Sequence, residues 1–385
     1  MANIKETEIS SKLISLQQGN LLPNANLSSE YFLTNQNSEL NDYQAINSSI
    51  QVYLPIWQNG KLKTAVNQSK AGYEASMANF MIDRENLVYQ VYETYVNYLR
   101  SKSLAELSDI MTSSLAITVD AAKERLNVGI SRRSDLLKAQ TEYSNSRYLS
   151  IQAETAKSKI FGFLLQISGF ALDSNMEISD SLEDYPDNLE IISSDSLYNL
   201  ADLYLPEFKL ILKRIEQQDL SRQIEYRNIY PEIGAFGSYN YLKTPVYDGK
   251  FYGNIGLSLK MDLFTGWKRK NKIAIEKIKS QQLTLEEQET KRLVYTEIRQ
   301  AQFDLSEARE KINNAKIQVE SSKESFQTIN QQYLNGLSSM LELIDAQYAD
   351  FRANQNYINA LADYYLAAVL LKRKTGLLAF EYCKQ

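Results

Sequence analysis

A tandem repeat places the strongest constraint on how this chain can fold. Residues 126–140 and 334–347 share a pattern of Gly-x-Ser, an acid six residues after the Gly, two aliphatic residues, and a closing Ala-Gln. Other features recur at offsets of 206 to 208 residues, namely Gly60 with Gly266, Gly169 with Gly376, and Pro23 with Pro231. The chain is therefore predicted to consist of two like structural repeats, residues 1–200 and 201–385.

Each repeat contains a helical pattern much longer than the helices of ordinary globular domains. Residues 61–126 contain no proline and one glycine, and their apolar residues recur at spacings of three and four. This pattern predicts a helix roughly 100 Å long, and residues 267–334 predict its counterpart. Shorter helices are predicted at 133–168 and 339–377.

A glycine separates the long helix from the shorter helix in each repeat. Such a glycine is a C-cap and turn signal, and the serine just after it can N-cap the next helix. Residues 127–134 and 335–339 are therefore predicted to be the tips of two antiparallel helical hairpins.

Short segments of alternating character precede each long helix. Period-two alternation of apolar and polar residues predicts strands at 24–33, 46–54, 232–241 and 252–261. Four strands of about ten residues fit the length of tilted membrane-crossing strands. One chain cannot close such a sheet, and open edges are not tolerated in lipid, so other copies would have to close it. Three copies would give twelve strands, an even number within the range of bacterial barrels.

Helices over residues 1–20 and 197–228 are predicted to precede the strands, and an acidic connector over 170–196 is predicted to be irregular. The first of these helices starts at Met1, which lies opposite Phe208 in the repeat, and the opening residues lack the apolar segment of a signal peptide. Read alone, that start indicates a cytosolic protein. We instead expect a truncated chain that lacks about ten helical residues and any leader, and whose full-length parent is exported.

Composition narrows the classes of function. A net charge of −5 and a pI near 5.3 argue against a nucleic-acid surface. The chain has no histidine and one cysteine, Cys383, and it carries no phosphate-binding loop. We therefore predict that it is not an enzyme and holds no cofactor or metal. The sequence contains no run of about 20 apolar residues, so it predicts no transmembrane helix.

The order of these elements resembles the TolC-like outer-membrane efflux proteins, also called outer membrane factors, from about residue 9 to 378. The residues that carry the resemblance are the two tips and the segments Leu22-Pro23-Asn24, 54–61, 263–266, 167–169 and 374–376. The resemblance implies a mainly α fold with a small β part. Long antiparallel hairpins would form a trimeric α-barrel through the periplasm, and the strands would complete a 12-stranded β-barrel in the outer membrane.

The resemblance also implies a function and a set of partners. The chain would be the passive exit duct of a tripartite efflux pump or a type I secretion system, gated at its periplasmic tips. Its partners would be two further copies of itself, a periplasmic adaptor (membrane fusion protein), an inner-membrane transporter of RND, ABC or MFS type, and outer-membrane lipid, but no nucleic acid. The alternative is a soluble coiled-coil scaffold or tether, which explains the long helices but gives the strands no role.

The family resemblance assigns roles to residues at the tips. Glu342 and Asp345 match an acidic ring at the periplasmic entrance, although Ser339 to Glu342 also reads as a capping box. Asp135 and Tyr333 match a latch between the tips. The latch arginine of the family is replaced by Ser338, so that part of the latch is either missing or supplied by Arg132 or Arg133. The simpler alternatives are helix-dipole stabilisation for Asp135 and ordinary packing for Tyr333.

Two further sets of residues complete the expected sites. Gly129, Ser131, Gly336 and Ser338 would dock the adaptor, although turn and cap roles also account for them. Four aromatic residues would form girdles at the membrane boundary, or alternatively pack where the β-barrel meets the tunnel: Trp57, Tyr53, Tyr241 and Phe264.

Overall fold

A computed structural model describes residues 2–34, 43–171, 176, 178–182, 193–244 and 248–378. Most of the predicted connector at 170–196 lies outside these residues, as does Cys383. The described residues are mainly helical with four antiparallel strands. The division into structural repeats at residues 1–200 and 201–385 stays a prediction.

Seven helices lie within the described residues. The two long ones, α2 and α6, each run without interruption for 67 residues, because neither contains a proline. No helix in the described part of the chain combines the length and apolarity that a bilayer crossing requires. The helices are α1 Ala2–Gly19, α2 Lys61–Asn127, α3 Arg133–Ser168, α4 Ser194–Tyr204, α5 Pro206–Arg227, α6 Lys268–Leu334 and α7 Met340–Lys374.

The prediction of a single helix over 197–228 is wrong at one point. The structure has two helices there, and Leu205 between them is extended with φ −70° and ψ 120°. Pro206 causes this break, because a proline ring disfavours the helical conformation of the residue before it. Pro206 is itself well placed as the first residue of α5, where no backbone N–H is needed.

The four strands form one antiparallel sheet in the order β1-β2-β3-β4. They span Asn24–Thr34, Tyr43–Trp57, Glu232–Lys243 and Lys250–Lys260. Strand β2 continues past Pro55, which was predicted to end it. A proline has no backbone N–H to donate to a neighbouring strand. Strand β1 pairs with β2 only as far as Tyr53, so at Pro55 no hydrogen bond to β1 is lost.

The chain forms two compact units. Unit 1 comprises Met1–Ile82 with Pro206–Arg292 and contains the sheet, and unit 2 comprises Asp83–Leu205 with Leu293–Gln385 and contains both tips. In unit 2, α6 and α7 pack together through Ile312, Tyr364 and several small residues. Buried positions in this part of α6 recur at spacings of four, three, seven, four and three, which fit the heptad pattern of a coiled coil: Val294, Ile298, Ala301, Ala308, Ile312 and Ala315.

Candidate functional site

One face of the sheet is apolar and uncovered. We call it the apolar sheet face, and the register places on it Leu27, Ile50, Val52, Tyr239, Ile255 and Leu257. Ile255 is 92% exposed, and Leu257 and Leu27 are 74% and 76% exposed. Contiguous apolar surface of this kind marks a membrane or protein contact, because exposure to water is unfavourable. The Ser29 and Ser48 hydroxyls, 2.8 Å apart, interrupt it near one end.

The opposite face, which we call the polar sheet face, carries Ser28, Ser49, Ser238, Asn240 and Asn254. The Ser28 and Ser49 hydroxyls lie 2.8 Å apart, and the Asn240 amide donates to Ser238 Oγ at 3.0 Å. Ser49 and Asn240 are buried despite their polarity. The first of these hydrogen bonds joins the neighbouring strands β1 and β2, and the second lies within β3, so side chains on this face satisfy one another's polar groups.

The predicted girdle aromatics lie at two ends of the sheet. Tyr241 packs on Phe251 near the β3–β4 hairpin, with ring centroids 4.9 Å apart. Trp57 ends β2 at the opposite end and pairs with Ile233 of the apolar sheet face, past a bulge. Phe264 follows β4 at that end and is 77% exposed. Aromatic residues thus border the apolar sheet face at both ends.

Tyr53 takes a different position from the other three aromatics. It pairs with Phe236, so its side chain belongs to the polar sheet face. Its ring lies over Gly234, where a Cβ atom would come within 2.5 Å of the ring. Only a glycine at 234 leaves room for this ring. In the alternating segment 46–54, Tyr53 occupies the polar positions, opposite the apolar residues. That pattern already predicted a side chain on the polar face rather than in a girdle at the lipid boundary.

The two tips share one backbone geometry. Gly129 and Gly336 have φ values of 79° and 75°, in the left-handed region that favours glycine. Ile130 N donates to Arg125 O at 2.9 Å, and Leu337 N donates to Gln332 O at 2.8 Å. Both tips are therefore helix C-caps of the Schellman type, which satisfy the last carbonyl groups of α2 and α6.

Ser131 and Ser338, the serines just after these glycines, do not N-cap the next helices, contrary to that part of the sequence prediction. The predicted capping box from Ser339 to Glu342 is confirmed. The N-cap residues are Arg132 and Ser339, one position later, because the Schellman turn uses the residue after the glycine. The hydroxyls of Ser131 and Ser338 instead donate to the acid three residues beyond each N-cap. Ser131 Oγ lies 3.0 Å from Asp135, and Ser338 Oγ lies 2.7 Å from Glu342.

Glu342 completes a capping box at the start of α7. Its carboxylate accepts from Ser339 N at 2.7 Å, and Glu342 N donates to Ser339 Oγ at 3.2 Å. Hydrogen bonds to its carboxylate hold the pKa of Glu342 below its usual 4.5. The bond from the Ser339 backbone N–H contributes most, followed by those from the Ser338 and Ser339 hydroxyls. Asp345 is exposed one turn further along α7 and has no hydrogen bond among the described residues.

Glu342→Ala is expected to loosen the first turn of α7, whereas Asp345→Ala is not. A carboxyl with a lowered folded pKa stabilises the fold above its usual pKa and loses that effect as pH falls through the lowered value. At pH 7, hydrogen–deuterium exchange over residues 338–343 should therefore be faster in Glu342→Ala than in the wild type. The difference should shrink well below pH 4.5. Equal exchange at pH 7 would remove the capping role.

The predicted latch residues form no ion pair with any residue that the structure describes. Asp135 accepts from Arg132 N at 3.2 Å, as a cap of α3. Arg132 and Arg133 are exposed and have no ion pair among the described residues. Tyr333 is buried at 4% exposure beside Ala122, Ala139 and Met340. The structure thus gives Asp135 and Tyr333 the capping and packing roles, and these contacts leave open a latch between copies.

Arg125 is a tip residue that the sequence analysis missed. It lies in the last turn of α2, and its Nη1 donates to Tyr333 O at 2.9 Å at the end of α6. Its guanidinium carbon lies 4.8 Å from the centroid of the Tyr333 ring. A basic residue in a last helical turn was a usable signal, but its partner lies 208 residues away.

The hydroxyl oxygen of Tyr333 is a buried polar atom beside the contact with Arg125. This hydroxyl has no hydrogen-bond partner among the described residues. Burial raises the pKa of Tyr333, Arg125 lowers it, and Asp135 raises it. The ring therefore stays neutral at physiological pH, and Arg125 contacts its face and its carbonyl rather than its hydroxyl.

Comparisons with known proteins agree with this architecture. The family described as "Outer membrane efflux protein" matches residues 4–169 and 206–377. Outer membrane protein TolC of Vibrio cholerae is 20% identical over 369 residues, covering 93% of this chain and 83% of its own. The Campylobacter jejuni CmeC outer membrane channel has a TM-score of 0.85 at 16% identity, covering 97% and 82%. VceC of Vibrio cholerae has a TM-score of 0.84 at 13% identity, covering 97% and 92%.

The chain therefore belongs to the outer membrane efflux protein family, as its resemblance to the TolC-like proteins predicted. The likeness to the two solved channels supports the same fold, with long helices and four antiparallel strands.

Proposed function

We propose that three copies of this chain form a passive exit channel in the outer membrane. One observation carries the proposal: a four-stranded sheet exposes an apolar face on one side and a polar face on the other. Strands β1 and β4 are open edges, and an open edge is too costly in lipid. Pairing of β1 with β4 of the next copy closes twelve strands, with the apolar sheet face toward lipid and the polar sheet face toward the lumen.

The dimensions of the sheet support this arrangement. Tyr241 pairs with Ser48, which lies nine residues before Trp57 on β2. Nine residues span about 30 Å along a strand, or roughly 20 Å across a bilayer at a tilt of about 45°. Transmembrane barrels carry an apolar band about 25 Å tall between aromatic girdles. Trp57, Phe264 and Tyr241 then lie near its borders, and Tyr53 lies inside the lumen.

Exposed apolar residues on the helices of unit 1 also support assembly. Ile9, Leu13 and Leu16 form a stripe along α1. Ile275, Ile278 and Leu285 form another along α6. Stripes at helical spacing are buried in stable proteins, and neighbouring copies provide the partner helices here. The helices of three copies form the periplasmic α-barrel, with localisation in the outer membrane and periplasm.

The tips face the periplasm in this proposal and contact a periplasmic adaptor. Gly129, Ser131, Gly336 and Ser338 lie on this surface, and exposed apolar residues flank them: Val128, Ile130, Leu334, Leu337 and Leu341. Apolar side chains at the end of a helical hairpin give a partner surface to bury. The adaptor connects the channel to an inner-membrane transporter of RND, ABC or MFS type, which supplies the energy for efflux or type I secretion. The channel itself performs no chemistry.

Neutralising the acidic pair at the second tip is expected to lower the cation preference of the channel. In a trimer, Glu342 and Asp345 contribute six carboxylates at the entrance, and such rings favour cations. The double variant Glu342→Gln, Asp345→Asn should reduce the potassium-to-chloride permeability ratio severalfold in planar bilayers. The matched control is Asp120→Asn with Glu124→Gln, on exposed positions of α2. An unchanged ratio in the double variant would leave Glu342 only its capping role.

Assembly in detergent tests the proposed function against the alternative of a soluble scaffold or tether. We expect the protein to be extracted from membranes as a trimer that resists dissociation by heating in mild detergent. A coiled-coil tether would instead purify without detergent as a soluble dimer, and that result would contradict the channel. Cross-linking in cells followed by affinity purification would then identify the adaptor and the transporter.

A further inference from the structure

A basic cleft at the helix end of the sheet belongs to none of the sites described above. It is a cavity of about 420 Å³ in unit 1, formed where α5 leads into β3 and where β4 leads into α6. Three carboxylates lie in its lining, together with five cationic side chains: Lys61, Lys260, Lys268, Arg269 and Lys272.

All three carboxylates of the basic cleft already have partners. Glu232 accepts from Lys61 Nζ at 3.0 Å, and Asp262 lies 3.7 Å from Arg269. Glu225 accepts from the Asn228 amide at 3.3 Å. Lys61 and Arg269 are thereby neutralised. The Asn228 amide is uncharged, so Glu225 keeps its negative charge, and five cations against three carboxylates leave the cleft a net charge of +2, carried by the three remaining lysines.

The side chains of Lys260, Lys268 and Lys272 have no hydrogen bond or ion pair among the residues that the structure describes. Lys268 and Lys272 are four residues apart on α6, a spacing at which like charges repel. The first turn of α6 contains no acid, and cations at a helix N-terminus oppose the helix dipole. The stability of the helix therefore does not explain why lysines occupy these positions. An anion bound between them would offset both the repulsion between the lysines and their unfavourable interaction with the helix dipole.

We propose that the basic cleft binds the phosphate group of an anionic ligand. Lysine ammonium groups are compact donors that suit phosphate oxygens, and Lys260 approaches from β4 while Lys268 and Lys272 approach from α6. The cleft is larger than one phosphate ion, so a phosphate with an attached group fits as well. Two sources share this chemistry. A lipid could place its phosphate among the lysines and its acyl chains against exposed Leu263 and Phe264, which follow the cleft residue Asp262, and a dissolved phosphate could enter from water.

The test uses the full chain in detergent and the variant K260Q/K268Q/K272Q. In one arm, inorganic phosphate is titrated by ³¹P line broadening against chloride at matched ionic strength. In the other arm, native mass spectrometry measures retained phosphatidylglycerol. The control K123Q/K277Q/K323Q removes the same charge from exposed lysines away from the cleft. We expect the cleft variant to bind phosphate, or to retain phosphatidylglycerol, at least about tenfold more weakly than the wild type and the control.

Thermal melting separates lost binding from lost folding. Phosphate should raise the Tm of the wild type and of the control but not of the cleft variant, whose own Tm should equal or exceed that of the wild type because repulsion is removed. A defect with phosphate identifies a dissolved anion, and a defect with phosphatidylglycerol alone identifies the lipid. Wild-type indifference to both ligands, or a cleft variant that behaves like the control, would overturn the proposal. These outcomes compare variants with one another and do not measure the number of copies, so a failure of this proposal is distinguishable from a failure of the channel proposal.

Discussion

Ile255→Arg is expected to prevent the protein from accumulating as a membrane-inserted trimer. Ile255 lies in the middle of β4 on the apolar sheet face and is 92% exposed in a single copy. An arginine on the lipid side of a barrel costs about 2–4 kcal/mol at the bilayer centre, or roughly 6–12 kcal/mol for three copies. That cost approaches or exceeds the stability of a typical folded protein. Membrane fractionation followed by electrophoresis without heating measures the trimer.

Asn254→Arg is the matched control for this prediction. Asn254 is the preceding residue, lies on the polar sheet face and is also exposed. In the proposed barrel it faces water in the lumen, so the variant should still form trimers. If the sheet instead lay in water, as in a soluble tether, Ile255→Arg would be harmless. Equal trimer yields from both variants would therefore contradict the assignment of the two faces.

Arg125→Ala is expected to shift the channel entrance toward its open state. The arginine joins the end of α2 to the end of α6 through the Tyr333 carbonyl, and it stacks on the Tyr333 ring. Hydrogen bonds to charged groups contribute about 1.5–3 kcal/mol, so a loss of about 2 kcal/mol shifts a closed-to-open equilibrium roughly 30-fold. Single-channel recordings in planar bilayers should show a correspondingly higher open probability.

Arg132→Ala and Arg133→Ala provide controls for the Arg125 prediction. Both arginines are exposed and have no ion pair in the described part of the chain, so their removal should leave the recordings unchanged. If Arg132→Ala or Arg133→Ala opened the channel and Arg125→Ala did not, the latch would be formed between copies by the residues that the family resemblance first suggested.

Periodicity in the sequence predicted most element positions closely. The long helices begin and end within one residue of the predicted bounds, since an uninterrupted pattern of 67 residues leaves few alternatives. Strand β1 was also placed within one residue. Strand β2 extends to Tyr43 and Trp57, beyond its alternating part, because pairing with β1 and β3 continues where the alternation is weak.

The remaining errors depend on contacts that periodicity does not encode. The break at Leu205 follows from the ring of Pro206, which a pattern of apolar spacings ignores. The N-cap of α3 is Arg132 rather than Ser131 because of the length of the Schellman turn, whereas Ser339 caps α7 as its capping-box pattern predicted. The contact between Arg125 and Tyr333 joins residues that are 208 positions apart in sequence, so only the tertiary fold reveals it. The basic cleft likewise combines segments that are distant in sequence.

Electron cryomicroscopy of the detergent-extracted protein tests most directly whether the sheets of three copies form one closed barrel. We predict particles with threefold symmetry, a mass three times the 44.1 kDa of one chain, and a hollow cylinder that continues from the helices into the strands. Single or paired rods without a lumen would contradict it.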